Sequence, residues 1–195
     1  MNSIKMGSFI RDLRKSKQLT QKQLADLIRV SDKTISKWET GAGSPDIAIL
    51  AHLSEILEVD LSKLLMGELH ENTPVMGHLQ RGHFHVCSTC GNMTYSTGHA
   101  EIFCCGRKLS ALAPQPTDDQ HRLEITLSDE GTYITSQHPM LKSDYISFVA
   151  IVKPDRLQLI KLYPEWQMEI HLYEKIKAPI YFYSTTGGLY IQKEL

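Results

Sequence analysis

The four cysteines of the chain all lie between Cys87 and Cys105. Cys87 and Cys90 form a Cys-x-x-Cys pair and Cys104 is adjacent to Cys105, so the cluster supplies four thiolates, enough for closed tetrahedral coordination of zinc or iron. Gly91 permits the tight turn behind the first pair, whereas adjacent cysteines reach one ion only with a strained backbone. In a reducing compartment this pattern favours a metal site, with a disulfide pair or free thiols as the alternatives. We predict one Fe or Zn ion here and no second metal.

The residues around these cysteines, 84–86 and Gly106, resemble the desulforedoxin-type domain that opens the two-iron desulfoferrodoxins. The nearby His83, His85 and His99 are expected to be ordinary polar residues, because four thiolates already fill a closed site. Two roles remain open for the metal. A segment of about 30 residues buries too little apolar surface to fold unaided, so a metal would act as a staple. Iron would in addition permit redox sensing, whereas zinc would be scaffold only.

The composition is that of a globular protein with room for two or three small domains: 195 residues, 42% hydrophobic and 22% charged. The longest apolar stretch, around 145–152, is far shorter than the roughly 20 residues that span a bilayer. The first residues lack the apolar run of a signal peptide, so we expect a cytoplasmic protein without a membrane anchor.

The net charge of -1 is unevenly distributed. Residues 1–40 carry nine lysines and arginines against four acidic residues. A basic first segment suits a module that binds nucleic acid, although many solvated helical faces are equally basic.

Five short helices are predicted within residues 1–66. The first carries an apolar stripe from Met6 to Leu13 and ends near Lys17. The residues that start or stop the others are Thr20 with Gln23 for the second helix, Ser31 and Gly41 for the third, Pro45 in the first turn of the fourth, and Asp60 for the fifth. The second and third helices, joined by the tight turn 29–31, have the helix-turn-helix geometry that seats the third in the DNA major groove.

Residues 10–65 contain the motifs Leu-Thr-Gln-Lys-Gln-Leu-Ala, Val-Ser-Asp-Lys-Thr-Ile-Ser-Lys-Trp-Glu-Thr-Gly and Leu-Glu-Val-Asp-Leu-Ser-Lys-Leu-Leu. They resemble the XRE family of phage-repressor-type helix-turn-helix domains. The resemblance implies binding to double-stranded DNA as a homodimer on a palindromic operator, with half-sites about 10 bp or a multiple apart.

The same resemblance identifies the residues that would contact DNA. Gln21 would hold a phosphate, and the third helix would turn its outward side chains to base edges, where lysine can donate to guanine and aspartate can accept from cytosine. The predicted set is Gln21, Ser31, Asp32, Lys33, Ser36 and Lys37. Arg14 and Glu39 match a pair that locks the first helix to the third; the alternative is a surface ion pair worth under about 1 kcal/mol.

After a predicted linker over 67–81, strand-like runs recur from about His121 onward, separated by turn residues. These runs cover 123–127, 133–135, 145–152, 157–163, 166–173, 180–183 and 189–192. Strands at this spacing predict a β-sandwich.

This last region resembles the superoxide reductase domain of desulfoferrodoxins and neelaredoxins, an immunoglobulin-like β-sandwich in which four histidines and one cysteine hold an iron ion. The motifs that carry the resemblance are Asp-Gln-His at 119–121, His-Pro-Met at 138–140, Lys-Leu-Tyr-Pro-Glu at 161–165 and Gly-Leu-Tyr at 188–190. By this resemblance the chain is a multidomain α plus β protein. Its predicted domains are a five-helix bundle at 1–66, a four-cysteine metal domain at 82–114 and a sandwich at 115–195.

The ligand set implied by this resemblance is incomplete. His121 and His138 fall on two histidine positions, while Asp144, Ser184 and Gly187 stand where the third histidine, the cysteine and the last histidine would be. Gln120 occupies the place of the lysine that assists catalysis.

These departures argue against an enzyme, because an iron ion there would lack the electron-donating thiolate. His121, His138 and Asp144 are either a weak metal site of two histidines and one carboxylate or remnants that bind nothing, and we favour remnants.

The function predicted from the sequence is a sequence-specific DNA-binding transcriptional regulator that senses redox, oxygen or metal status through its metal-binding region. One alternative is a superoxide reductase-type enzyme with a DNA-binding appendage. The other is a regulator whose zinc-stapled region is only a module for dimerisation or protein interaction.

Overall fold

The computed structural model describes residues 2–69, 72–74, 77, 79–119 and 121–193. The chain divides into two compact units, Met1–Glu71 and Asn72–Leu195. Gln120 and several residues of the predicted linker lie outside the described residues. The first unit is helical and the second is built of strands, so the predicted α plus β fold class is confirmed.

Five helices make up the described part of the first unit. They are α1 (Ser3–Ser16), α2 (Gln21–Ile28), α3 (Asp32–Glu39), α4 (Ile47–Leu57) and α5 (Leu61–Met66). Each contributes at least one fully buried side chain to a common core, among them Ile10, Leu24, Ile35, Leu53 and Leu64. Within the described residues, every helix is too short or too polar to cross a lipid bilayer.

Most predicted helix ends are confirmed by their capping hydrogen bonds. Thr20 and Gln23 form the predicted capping box, and Ser31 accepts the backbone N–H of Thr34. The prediction for Pro45 was wrong. Asp46 is the residue that caps α4, because its carboxylate accepts a free backbone N–H in the first turn, and Pro45 precedes it.

The second unit begins with a 3₁₀ turn at Leu79–Arg81, followed by two hairpins that carry the cysteines. The first hairpin consists of β1 (His83–Val86) and β2 (Met93–Ser96), and the second of β3 (Ile102–Cys104) and β4 (Arg107–Leu109). The 3₁₀ turn lies at the end of the predicted linker, and Leu79 donates its N–H to the carbonyl of Pro154.

Two further sheets form the sandwich. Their strands are β5 (Gln115–Pro116), β6 (Leu123–Ser128), β7 (Gly131–Ser136), β8 (Ile146–Val152), β9 (Leu157–Lys161), β10 (Glu169–Leu172), β11 (Ile180–Ser184) and β12 (Gly188–Gln192). One sheet has the order β10-β7-β6 and the other β5-β12-β11-β8-β9. Each predicted run between 123 and 192 overlaps one of these strands, so the runs are confirmed as strands, although their ends differ by up to a few residues.

The two sheets pack face to face around one apolar core. Ile134 and Ile170 enter this core from the three-stranded sheet, and Val149 and Phe182 enter it from the five-stranded sheet. The chain passes from β6 and β7 to β8 and β9 in the other sheet, returns for β10, and crosses again to β11 and β12. This crossing pattern is the Greek-key arrangement of immunoglobulin-like sandwiches.

Strand β8 is buried at all seven positions, because both of its faces are covered. Val149 and Ile151 point into the sandwich core, whereas Phe148, Ala150 and Val152 point outward into a second apolar cluster. That second cluster includes Phe84 of the first cysteine hairpin, whose ring centroid lies 5.4 Å from that of Phe148. The four-cysteine segment is therefore packed on the outer face of the five-stranded sheet.

We predict that Phe148→Ala lowers the free energy of unfolding of the second unit by about 3–5 kcal/mol, because it opens a cavity between that segment and the sheet. Leu159→Ala, at a side chain that is 41% exposed, is the control and should cost under about 1 kcal/mol. Hydrogen exchange followed by mass spectrometry should show faster exchange in both the cysteine hairpins and the sandwich strands. Unchanged protection of the cysteine hairpins would contradict the shared packing.

Candidate DNA interface and four-cysteine centre

The position of α3 is fixed by its close approach to α1. A Cβ atom added to Gly7 of α1 would lie 1.9 Å from the carbonyl oxygen of Trp38, so no larger residue fits there. Trp38 and Ile35 point into the core of this unit. The opposite face of α3 is therefore the one left to solvent.

A buried ion pair joins α1 to the end of α3. Arg14 donates through Nε to Glu39 Oε1 at 2.6 Å and through Nη2 to Glu39 Oε2 at 3.1 Å. Its Nη1 also donates to the carbonyl of Leu19 at 2.6 Å. Arg14 and Glu39 are 8% and 5% exposed, so the ion pair is buried. The predicted contact that holds the first helix to the third is confirmed, and the alternative of a weak surface ion pair is wrong.

Gln21 joins α2 to the same carboxylate, since its Nε2 donates to Glu39 Oε2 at 2.8 Å. Burial would raise the pKa of Glu39, but the hydrogen bonds from Arg14 and Gln21 outweigh burial and hold that pKa below its usual value. Glu39 thus stays ionised and fixes three helices through one carboxylate. No pattern in the sequence indicates that Gln21 takes part in this network.

The residues predicted to contact DNA lie on α2 and α3 or at their starts. Asp32, Lys33 and Lys37 are exposed, and Ser36 is half-buried. The hydroxyl of Ser31 is already used in capping, because it accepts the N–H of Thr34 and shares a hydrogen bond with the Thr34 hydroxyl. Asp32 Oδ1 also accepts the N–H of Lys33, at 2.8 Å. The set therefore divides into polar side chains on α3 and two residues, Gln21 and Ser31, that also hold the helices in place.

The four cysteines meet because of two tight turns. Cys87 and Cys90 lie in the turn between β1 and β2, where Gly91 donates its N–H to the carbonyl of Cys87. Cys105 and Gly106 are the two loop residues of the β3–β4 hairpin, and both have positive φ, +50° and +73°. Two consecutive residues with positive φ are typical of a type I′ hairpin turn. The strained backbone expected for adjacent cysteines is located at Cys105.

The geometry of the cluster fits a tetrahedral metal ion. The Sγ atoms of all four cysteines lie within 4.8 Å of one another, with Cys90 and Cys104 3.4 Å apart and Cys104 and Cys105 4.0 Å apart. Tetrahedral thiolate ligands at about 2.3 Å from zinc are separated by about 3.8 Å. Among the described residues this is the one group of three or more such ligands that converges.

The surroundings of the sulfurs differ. Backbone N–H groups of Cys90 and Thr89 lower the pKa of the Cys87 thiol to about 6, whereas the sulfurs of Cys90, Cys87 and Cys104 raise the pKa of the Cys105 thiol to about 12. Asn92 Nδ2 lies 3.7 Å from the Cys104 sulfur, in the place of an outer-shell donor. Cys90 and Cys105 are exposed, while Cys87 is buried.

A hydrogen-bonded network links the residues that stand at the predicted remnant site. Asp144 Oδ1 accepts from the hydroxyl of Thr186 at 2.7 Å and from that of Ser184 at 3.2 Å. Ser184 is fully buried, and its hydroxyl accepts the N–H of Gly187 at 2.9 Å. Burial would raise the pKa of Asp144, but these hydroxyl donors and the neighbouring His138 lower it.

The ring nitrogens of the two histidines have different hydrogen-bond partners. His138 Nδ1 accepts the N–H of Met140, so a neutral His138 carries its proton on Nε2, which faces Asp144 Oδ2 at 3.6 Å. A metal ligand needs a lone pair on that nitrogen. His121 Nδ1 lies 2.8 Å from Asp118 Oδ1, and its ring stacks on Tyr190.

Gly187 has no space for a ligating side chain in this packing. A Cβ atom added to Gly187 would lie 2.6 Å from the Tyr190 hydroxyl and 3.2 Å from His121 Nε2. A side chain at this position would therefore require the ring of Tyr190 to move.

Residues 10–64, in the first unit, match a known family of protein domains. The helix-turn-helix family matches residues 10–64. The chain is 44% identical over 59 residues to the HTH-type transcriptional activator BcrR of Enterococcus faecalis, which is 30% of this chain and 29% of that protein. It is 37% identical over 62 residues to the uncharacterized HTH-type transcriptional regulator YqaE of Bacillus subtilis, 32% of this chain and 53% of that protein. The chain thus spans less than two thirds of either relative. Residues 10–64 are a helix-turn-helix domain, as predicted.

Solved structures that are similar to part of the chain are also found. The superoxide reductase of Treponema pallidum aligns with 57% of this chain and 98% of its own, at 16% identity and a TM-score of 0.49. The P22 c2 repressor, solved in complex with a synthetic operator, aligns with 32% of this chain and 96% of its own, at 35% identity and a TM-score of 0.31.

We predict that Glu39→Gln destabilises the helical unit by about 1–3 kcal/mol at neutral pH, because Arg14 keeps its buried charge but no longer faces a carboxylate. The folded-state pKa of Glu39 is depressed, so its contribution is complete above the usual pKa of 4.5 and is lost as the pH falls below that value. The difference between wild type and Glu39→Gln should therefore narrow in acid.

Urea unfolding followed by Trp38 fluorescence, in a Trp166→Phe background, measures this difference across the pH range. Glu55→Gln is the matched control, because Glu55 is exposed on α4, and it should change stability by under about 0.5 kcal/mol. A Glu39→Gln effect that is constant from pH 7 to about pH 3 would contradict an ionised, buried Glu39.

Proposed function

We propose that this protein is a sequence-specific DNA-binding transcriptional regulator whose four cysteines hold one Fe or Zn ion, and that the state of this centre governs DNA binding. The observation that carries the proposal is the combination, in one chain, of a helix-turn-helix domain with exposed polar residues on α3 and a converged four-thiolate cluster.

Support for DNA binding comes from the way α3 is held. Its inner face is locked by Glu39 and by the approach at Gly7, so the outward side chains are presented on a rigid support. Because the helix is already fixed, no backbone has to be ordered when its side chains meet base edges. The relatives that share this domain are named as transcriptional regulators. We expect a homodimer on a palindromic operator, because one helix-turn-helix unit reads a half-site.

Support for sensing comes from the exposure of the cluster. Cys90 and Cys105 are exposed, so oxidants in solution have direct access to two of the four sulfurs. A bound iron would supply reversible one-electron chemistry at this position, whereas zinc would supply none. The cluster therefore suits a redox or oxygen sensor when it holds iron, and a scaffold or zinc-responsive centre when it holds zinc.

Support for a non-enzymatic sandwich comes from the remnant residues. Asp144, Ser184 and Thr186 satisfy one another by hydrogen bonds, and His138 presents a proton rather than a lone pair. We therefore propose that the sandwich catalyses no superoxide reduction and holds no second metal. A superoxide reduction assay should show no rate above that of free iron.

We predict that Lys33→Ala combined with Lys37→Ala weakens specific DNA binding. The loss should be about 1–3 kcal/mol for each bidentate contact to a base that is removed, and the variant should discriminate less between the operator and other DNA. The operator is first selected from randomised DNA, and affinities for it and for scrambled DNA are then compared at fixed salt. Lys5→Ala with Lys15→Ala removes the same charge from exposed positions of α1 and is the control. If both double variants lose affinity equally on specific and scrambled DNA, α3 does not read the bases.

We predict about one iron or zinc per chain in protein purified without oxygen and without added metal, because the four sulfurs are spaced for one tetrahedral ion. Cys90→Ser and Cys104→Ser should lower the metal content several-fold, as measured by mass spectrometry of the elements. His121→Ala is the control and should retain the metal. Metal loss in His121→Ala together with full content in the cysteine variants would place the ion in the sandwich instead.

A further inference from the structure

A cavity of about 400 Å³ is lined by residues of both cysteine hairpins and of the segments that follow them. The lining residues are His83, His85, Ser96, 98–100 and 108–111. A cavity of this size lies within the range of small-molecule sites. Neither the DNA-binding face nor the four-sulfur cluster uses these residues.

The wall that the first hairpin gives to this cavity is set by strand alternation and register. Phe84 packs on Phe148 of the five-stranded sheet, and successive residues of a strand point to opposite faces. His83 and His85 therefore point away from that sheet. Ser96 lies directly opposite His83 in the pairing of β1 with β2, so its side chain points to the same side.

His85 is the buried polar side chain of this wall. It is 3% exposed, and its Nε2 shares a hydrogen bond of 3.0 Å with the hydroxyl of Ser96. Its Nδ1 is buried and has no hydrogen-bond partner among the residues that the structure describes. Buried polar groups are nearly always hydrogen-bonded, so this nitrogen calls for a partner from elsewhere. Since His85 lines the cavity, a molecule bound there can supply that partner.

The other polar side chains of the lining can all donate hydrogen bonds. They are imidazole, hydroxyl and ammonium groups, and the described lining includes no aspartate, glutamate or cysteine. The ammonium group of Lys108 is already paired, because it lies 2.6 Å from Glu101 Oε1. The character of the cavity therefore depends on its imidazoles and hydroxyls, which match a ligand with several acceptor oxygens.

A metal ion does not account for the three histidines that line the cavity. In the described part of the chain, the four cysteines are the one group of three or more metal-ligating side chains that converges. His83, His85 and His99 thus lack the spacing of ligands to a single ion. An oxyanion has several oxygens and can accept hydrogen bonds from donors that are spread around it.

We propose that this cavity binds a small oxyanion, a phosphate or carboxylate group, with one oxygen accepting a hydrogen bond from Nδ1 of His85. The anion selects the tautomer of His85, because a proton on Nδ1 leaves Nε2 to accept the hydroxyl proton of Ser96. His99 and the hydroxyl of Ser110 donate to the remaining oxygens. The proposal goes beyond DNA binding and does not require it.

The test is isothermal titration calorimetry of the full chain, as purified, with inorganic phosphate and with malonate as separate probes. Sodium chloride at matched ionic strength controls for screening. We expect saturable binding of at least one probe at about one site per chain. His99→Ala, at an exposed position of the lining, should weaken binding about threefold, because one donor is lost. His52→Ala, at an exposed position of α4, is the matched control and should leave the affinity unchanged.

Two substitutions of His85 separate its role in binding from its role in packing. Glutamine places an amide near the position of Nε2, whereas asparagine places one near the position of Nδ1. His85→Gln should therefore weaken binding at least about tenfold, and His85→Asn should bind more tightly than His85→Gln. Equal loss in both variants would mean that Nδ1 does not contact the anion and would overturn the proposal.

Nuclear magnetic resonance of isotope-labelled histidine in zinc-loaded protein locates the site. The saturating probe should shift the Nδ1 resonance of His85 toward that of a protonated nitrogen. Absence of saturable binding by both probes overturns the proposal, and so does binding that leaves the His85 resonances unchanged or that His99→Ala and His52→Ala weaken equally. Because these measurements are made in the absence of DNA, a failure here is distinguishable from a failure to bind DNA.

Discussion

The second unit depends on one constraint, the burial of strand β8 on both faces. All seven residues from Ile146 to Val152 are buried, but the sandwich core covers only one face of the strand. The first cysteine hairpin covers the other half, with Phe84 placed against Phe148. The hairpin buries its apolar side chains against the sheet, and the outer face of β8 is buried beneath the hairpin.

The packing of the first cysteine hairpin on the sheet bears on whether the four-cysteine segment needs a metal to fold. A segment of about 30 residues requires a staple when it stands by itself, because it buries too little apolar surface. Here the outer face of the sheet already anchors one side of the segment through Phe84 and Val86. Under the proposed function, a metal at the four cysteines would then change its oxidation state without removing the packing of the first hairpin on the sheet.

The features that the sequence predicts well are local. Thr20 with Gln23 and Ser31 specify the starts of α2 and α3 because a side chain caps a backbone N–H three residues away. Strands such as β6 and β8 follow from runs of apolar residues. The cysteine hairpins were not predicted as strands, because strands of three or four residues are defined by their cross-strand pairing and by a turn with positive φ at Cys105. The run 145–152 predicts a buried strand, but its residues do not indicate which part of the chain covers that strand. Gln21 binding to Glu39 was missed for the same reason, since the two are joined only by the fold.

The hydrogen bonds around Asp144 join two loop segments of the sandwich. A metal ion joins loops by binding a ligand from each, and hydrogen bonds can do the same when every polar atom finds a partner. Asp144 lies in the loop before β8, while Ser184 and Thr186 lie at the end of β11, so their contacts tie these two segments together. The sandwich core lies in a different part of the unit, around Ile134 and Phe182, and depends on none of these polar groups. The sandwich is therefore stabilised by that core, and the two loop segments are joined by their own hydrogen bonds.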